Sequence, residues 1–166
     1  MQLAARLVVK AAEIMGAERL IPISFAHLDA CFYTGQAHVD FVRFLIENGA
    51  SLAVETWTNN GVVSLADASL RPRAEDPEMV EGAATLMHLY ERLGTKPTWT
   101  CAPYQAGYRP KCGENIAWAE SNAVAFANSV LGARTNRYGD FMDICAAITG
   151  RVPLTGLHIS KNRYAT

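Results

Sequence analysis

The residues able to do chemistry concentrate in 97–134, PTWTCAPYQAGYRPKCGENIAWAESNAVAFANSVLGAR. Cys101 closes a β-forming run, Thr98-Trp99-Thr100, and opens a loop punctuated by Pro103, Gly107, Pro110 and Gly113. A soft thiolate there can face an open cleft and ligate a metal or cluster, or it can pack as a small buried hydrophobe; spacing alone leaves both open. Glu120 and Ser121, with Asn122, interrupt a small, apolar run where a carboxylate and an amide are costly to bury without partners. Arg134, Thr135 and Asn136 come next. A guanidinium fork suits a substrate carboxylate, and an arginine at a helix end also suits the last carbonyls. Upstream, Ser24 and His27 raise a serine–histidine nucleophile pair, but no nucleophile-elbow glycine pattern surrounds them, and bonding to local backbone is the alternative. Asn59, within Trp-Thr-Asn-Asn-Gly, can hold a substrate or simply turn the chain.

These side chains need elements to carry them. Residues 2–15 put Leu3, Leu7, Val8, Ala11, Ile14 and Met15 at helical spacing, with Gly16 where a C-terminal cap belongs. A short apolar strand is predicted over 20–24; the following FAHLDACFYTGQAH takes no clean assignment. Residues 39–48 read as a second helix and 51–54 as a second strand, whereas 56–76 lack strong periodicity. Asp76-Pro77-Glu78 opens a third helix, with Met79, Val80, Ala83, Leu86, Met87, Tyr90 and Leu93 inward and Gly94 at its end. Residues 98–100 make a third strand, 114–131 a helix closed by Gly132, and 140–150 then 154–160 a further helix and strand. Helices alternating with strands predict an α/β domain with a mostly parallel sheet and flanking helices, because parallel neighbours need a crossover. Ligands in such sheets bind beyond the carboxyl ends of the strands, so the loops starting at Ser24, Thr56, Cys101 and His158 are expected to converge.

Three words, TWTCAPYQAGYRP, IAWAESNAV and NSVLGARTNRYGD, resemble the aconitase X family of iron–sulfur dehydratases, especially its cis-3-hydroxy-L-proline branch. The resemblance continues through SFAHLDACFYTGQAHVDF, the Thr-x-x-Asn of Thr56 to Asn59, and GRVPLTGLHIS. It implies an aconitase-like three-layer α/β/α domain, of which residues 1–166 form the N-terminal portion. It further implies a hydro-lyase of a small hydroxy acid, cis-3-hydroxy-L-proline, the alternatives being a phosphomevalonate dehydratase large subunit or an inactive binding or scaffold fragment. By resemblance Cys101 is one of three thiolates on an iron–sulfur cluster, the other two lying outside this chain, and the cluster acts as a Lewis acid. Ser24, His27, Asn59, Glu120, Ser121, Arg134, Thr135 and Asn136 become candidates for the substrate pocket. The family's Thr-Thr-x-Asn word is altered here by Trp57. Its catalytic serine belongs to a small domain or subunit, which with the missing C-terminal segment is the expected partner, so the general base falls on no residue of this chain.

Composition narrows the remaining classes. Half of the 166 residues are hydrophobic, enough to bury one core. Fifteen basic against sixteen acidic residues, without runs of like charge, give no electrostatic reason to expect nucleic acid or an anionic membrane. No apolar run approaches a membrane span and no signal-peptide pattern opens the chain, so a cytoplasmic location is expected. Cysteines 31, 101, 112 and 145 lack CxxC spacing, which excludes a zinc ribbon reading. Cys145 shares an apolar face with Phe141, Ile144 and Ile148, whereas Cys112 reads as exposed.

Overall fold

The computed structural model describes residues 2–29, 33–59, 67, 77–139 and 141–163. Helix α1 (Gln2–Ile14) buries Ala4, Val8 and Ala12, a four-residue repeat on one face. It is followed by Gly16 at φ 65. Helix α2 (Gln36–Glu47) buries Val39, Val42 and Leu45, and α3 (Pro77–Leu93) buries Ala83, Leu86, Met87, Leu89, Tyr90 and Leu93. The predicted cap of α3, Asp76, lies outside the described residues. Helix α5 (Met142–Thr149) is buried from Asp143 through Ile148 and ends at Gly150 in the left-handed region. All of these helices were legible as amphipathic or apolar periods, with ends shifted by a few residues.

The strands differ more from expectation. Residues 20–24 do not form a strand of the parallel sheet: β1 (Leu20–Pro22) pairs antiparallel with β6 (Arg151–Pro153) in a separate two-stranded ribbon. The sheet strand is β2 (Phe25–Leu28), in the stretch that sequence left unassigned. Strand β3 is Glu55–Thr58, four residues beyond the predicted start; Ala53 is instead tied by its N–H to the Ala147 carbonyl. Strand β4 is Lys96–Pro97, and residues 98–100 beyond it are irregular. Residues 154–160 are not a strand but contain short 3-10 turns after β6.

The largest correction concerns 114–131. Its first part holds β5 (Ala117–Trp118), hydrogen-bonded beside β2, and α4 starts only at Ser121 (Ser121–Phe126) before widening into a π-turn, Ala127–Leu131. Pairing with β2 overrides the helical propensity of an alanine-rich run. Gly132 closes the π-turn at φ 71, as its position suggested, and a Cβ there would meet the Cys112 sulfur at 2.9 Å.

The four-stranded sheet has the order β4-β3-β2-β5 and is parallel throughout. Side-chain alternation divides its faces. Ala26 and Leu28 join the core with Val8, Val42, Leu86, Tyr90, Ile144 and Ala147 of the surrounding helices. Phe25, Trp57 and Trp118 join Ile116, Ala123 and Ala127 on the other face, beneath Tyr104 and Tyr108 of the 101–113 loop. This is the expected three-layer α/β/α arrangement. Among the described residues, no helix is long and apolar enough to cross a membrane.

Candidate functional site

Because β2, β3, β4 and β5 are parallel, the residues that follow them emerge at one edge of the sheet. Asp29 follows β2, Asn59 follows β3, Cys101 lies four residues beyond β4, and Glu120 lies two beyond β5. Asn59, with no exposed surface, joins them. Its Nδ2 donates to Asp29 Oδ1 at 3.0 Å and Glu120 Oε1 at 3.2 Å, and reaches Cys101 Sγ at 3.7 Å. Three acceptors around one amide terminus decide its orientation: the oxygen there would face only lone pairs.

The segment carrying Cys101 is fastened to the same edge. Trp99 N–H and Thr98 Oγ1 both donate to the Thr58 carbonyl, at 3.1 and 3.2 Å. Trp99 takes φ 50, a conformation that is a genuine outlier for a bulky residue, and it bends the chain just before the cysteine. His27, fully buried, donates from Nε2 to the Thr100 carbonyl at 2.9 Å. Burial pushes its pKa down to about 4, against the raising effects of that hydrogen bond and of Asp29. The ring is therefore neutral at pH 7, and His27 holds the backbone beside Cys101 rather than pairing with Ser24. Cys101 itself is half-buried.

Asp29 was not among the residues expected in the pocket. It is 5% exposed, its backbone N–H donates to Asp143 Oδ2 at 3.0 Å, and Asp143 sits in the first turn of α5 with Oδ1 on its own helix's Ile144 N–H. The signal was present, an acid directly after FAHL, but only once FAHL is recognised as a strand. Ser121 and Asn122 are exposed in the first turn of α4, not buried in mid-helix.

Other candidates lie elsewhere. Ser24 precedes β2, so it stands at the amino edge, roughly 15 Å along the strand from Asp29. Its hydroxyl is bonded to the Glu114 carboxylate, which also accepts from Tyr108 OH at 3.0 Å and Lys111 N–H at 2.6 Å. Burial works to raise the Glu114 pKa, but those hydrogen bonds outweigh it and hold the carboxyl below its usual range. Arg134 pairs with Asn115 at the same amino edge and donates from Nη1 to the His158 carbonyl at 2.9 Å. With Glu18, His158 and Lys161 it lines an open polar cavity of about 710 Å³. Thr135 Oγ1 accepts from Trp118 N–H and donates to the Asn136 carbonyl, and Asn136 bonds Thr155 and Leu157. All three thus tie the 134–138 segment to its neighbours. Arg137, which sequence reasoning passed over inside TNRYGD, is paired with Trp118 at the carboxyl edge and is exposed.

Of the three cysteines among the described residues, Cys101 alone is at this edge. Cys145 is buried in the main core, where desolvation first and Asp143 second push its thiol up to about 12, and Cys112 is exposed beside Gly132. Among the described residues no group of three His, Cys, Asp or Glu side chains can hold a metal ion alone.

A parallel sheet with helices on its faces and a polar cluster at its carboxyl edge defines an α/β domain. Residues 1–161 match the family described as aconitase X first domain, and the chain belongs to the aconitase X family. It is 48% identical over 164 residues to cis-3-hydroxy-L-proline dehydratase of Pseudomonas aeruginosa and 46% identical to the Hypocrea jecorina enzyme of that name, covering 99% of this chain in each case. It is 40% identical to the phosphomevalonate dehydratase large subunit of Thermococcus kodakarensis over 168 residues, covering 100% of this chain. The crystal structure of Thermococcus kodakaraensis aconitase X in its holo form superposes with a TM-score of 0.85 at 41% identity, covering 99% of this chain and 40% of that one. The chain spans 28%, 27% and 41% of the lengths of the three relatives.

Proposed function

We propose that this chain is the Cys101-bearing part of a hydro-lyase that removes water from cis-3-hydroxy-L-proline. The observation that carries the reading is the convergence of Asp29, Cys101 and Glu120 on the Asn59 amide at the carboxyl edge. The donor set fits an iron–sulfur cluster in one respect: a half-buried cysteine sulfur stands at the mouth of the edge, and it can supply one ligand, with further cysteines coming from outside this chain. When bound, such a cluster supplies a Lewis acid that polarises a substrate hydroxyl and eases its departure.

The chain's own residues bind and orient. Arg137 is the cation suited to the substrate carboxylate, in the role that sequence gave to Arg134, because its backbone pairs with Trp118 at the carboxyl edge and its side chain is exposed there. Asp29 and Glu120 are acceptors for the substrate's ring ammonium, and Asn59 bridges the two carboxylates by donating to both from Nδ2. His27 fixes the Thr100 carbonyl and hence the approach of Cys101. The proton acceptor is assigned to no residue of this chain; it belongs to the partner, a small domain or subunit of the family.

Phosphomevalonate is the second candidate substrate. It is less favoured because the cations of the 101–113 loop are few: Arg109 is turned to the Tyr104 carbonyl, and Lys111 is exposed. The test is to express these residues within the full-length protein and assay both substrates alongside iron and sulfide. Hydroxyproline turnover is expected, abolished together with iron in Cys101→Ala and retained in Cys112→Ala. Turnover of phosphomevalonate alone would reverse the substrate assignment, and an iron-loaded protein inert to both would leave a scaffold role.

A further inference from the structure

We infer that Asn59 is a positioning residue for the Cys101 thiolate, donating an amide N–H to Sγ and so setting the charge that the sulfur offers to iron. The inference rests on Cys101 being a ligand, as proposed above, and adds a residue that acts through it.

Four observations support it. Asn59 is fully buried, so water does not compete for its amide. Its backbone is fixed as the continuation of β3, with its N–H on the Leu28 carbonyl at 3.2 Å. The neighbouring Thr58 carbonyl holds Trp99 N–H and Thr98 Oγ1, so the cysteine-bearing segment is tied to the residue just before Asn59 and cannot drift from it. Asp29 Oδ1 and Glu120 Oε1 accept from the same Nδ2, which fixes the amide in place; its two hydrogens serve three acceptors, so the N–H toward Sγ, 3.7 Å away and within reach of the large sulfur atom, is shared with a carboxylate.

An N–H donor to a ligand sulfur withdraws negative charge from it. That favours the reduced, more negative state of an attached cluster and moves its reduction potential positive. A leucine at 59 has nearly the same shape and no donor. Replacing the amide should therefore shift the potential negative and make the cluster easier to oxidise, without deleting a ligand.

The test uses the full-length protein with its cluster assembled. In Asn59→Leu, iron and sulfide content should stay at the wild-type level, the reduction potential followed by EPR should move negative, and the part of the H2O-to-D2O shift of the Fe–S resonance Raman bands that arises from this proton should vanish. If Asn59→Leu does not fold, Asn59→Ser, whose hydroxyl is too short to reach Sγ, should show the same two changes. A potential and a deuterium shift identical to wild type in the folded variant would overturn the inference. Cys101→Ala, measured in parallel, separates this from failure of the ligand assignment: retention of full iron there removes the premise, whereas loss of iron there with a silent Asn59 variant rejects Asn59 alone.

Discussion

His158 makes acid sensitivity a quantitative consequence of the fold. The ring is 2% exposed, Nε2 accepts from Tyr138 OH at 2.7 Å, and Nδ1–H donates to Asn115 Oδ1 at 2.9 Å. Both nitrogens are satisfied in the neutral form. Burial chiefly, with the positive charges of Arg134 and Arg163, lowers its pKa from 6.5 to about 4. Because the folded value lies below the unfolded one, the unfolded chain takes up the proton first as pH falls through 6.5. Stability is full above that pH, is lost progressively down to about 4, and levels off below. At roughly 1.4 kcal/mol per pH unit, the loss from His158 is about 2 kcal/mol by pH 5 and about 3 kcal/mol at its limit, a sizeable share of the roughly 5–15 kcal/mol that holds a typical domain. Urea unfolding at pH 8 and pH 5 measures it. His27, also depressed to about 4, adds a slope of the same sign that remains when His158 is replaced. His158→Gln will be less stable at pH 8 but should lose about 2 kcal/mol less than wild type between the two pH values. Equal losses in the two proteins would refute the reasoning.

Three further outcomes are expected. Thr135→Val leaves the buried Trp118 N–H without its acceptor and should cost about 1–3 kcal/mol in urea unfolding. Gly150→Ala forces a side chain into φ 62 and against the Ala53 Cβ at 3.3 Å, and should lower stability by about 1–2 kcal/mol in the same assay. In steady-state assays of the full-length protein, Arg137→Lys should raise KM about tenfold through loss of a bidentate pair, while Arg134→Lys leaves KM unchanged.

Helices α1, α2 and α3 were legible because each buries a stripe of several turns, a period that survives errors at the ends, and α5 as an apolar run; α4 was not, since its six residues bury Ala123 alone. The strands were not, for identifiable reasons. FAHL is buried on both faces, so it shows no alternation, and a histidine in its middle reads as loop. AW is two residues inside an alanine-rich run, where only the pairing with β2 makes it a strand. Cys101 was legible as a cysteine opening a turn-rich loop. Ser24 was misplaced because a strand drawn over 20–24 ends where β2 begins, which moves the serine from the amino to the carboxyl edge. The same displacement hid Asp29.

Strand order explains why the cluster centres on Asn59. In β4-β3-β2-β5, β3 lies between the strand leading to Cys101 and the strand leading to Asp29, with neighbours about 4.8 Å away on each side. A short side chain at the end of β3 can therefore touch both, whereas one at the end of β2 or β4 faces a gap of two strands to the far partner. Glu120, two strands away beyond β5, closes the distance with a longer side chain and an extended backbone at the start of α4, φ −67 and ψ 126. An aspartate at 59 would fit the space but bring a third carboxylate against Asp29, Glu120 and the Cys101 sulfur, and a glutamine would carry its amide a methylene too far. The geometry thus asks for a short donor at this one position, which a turn residue in an exposed loop would not require.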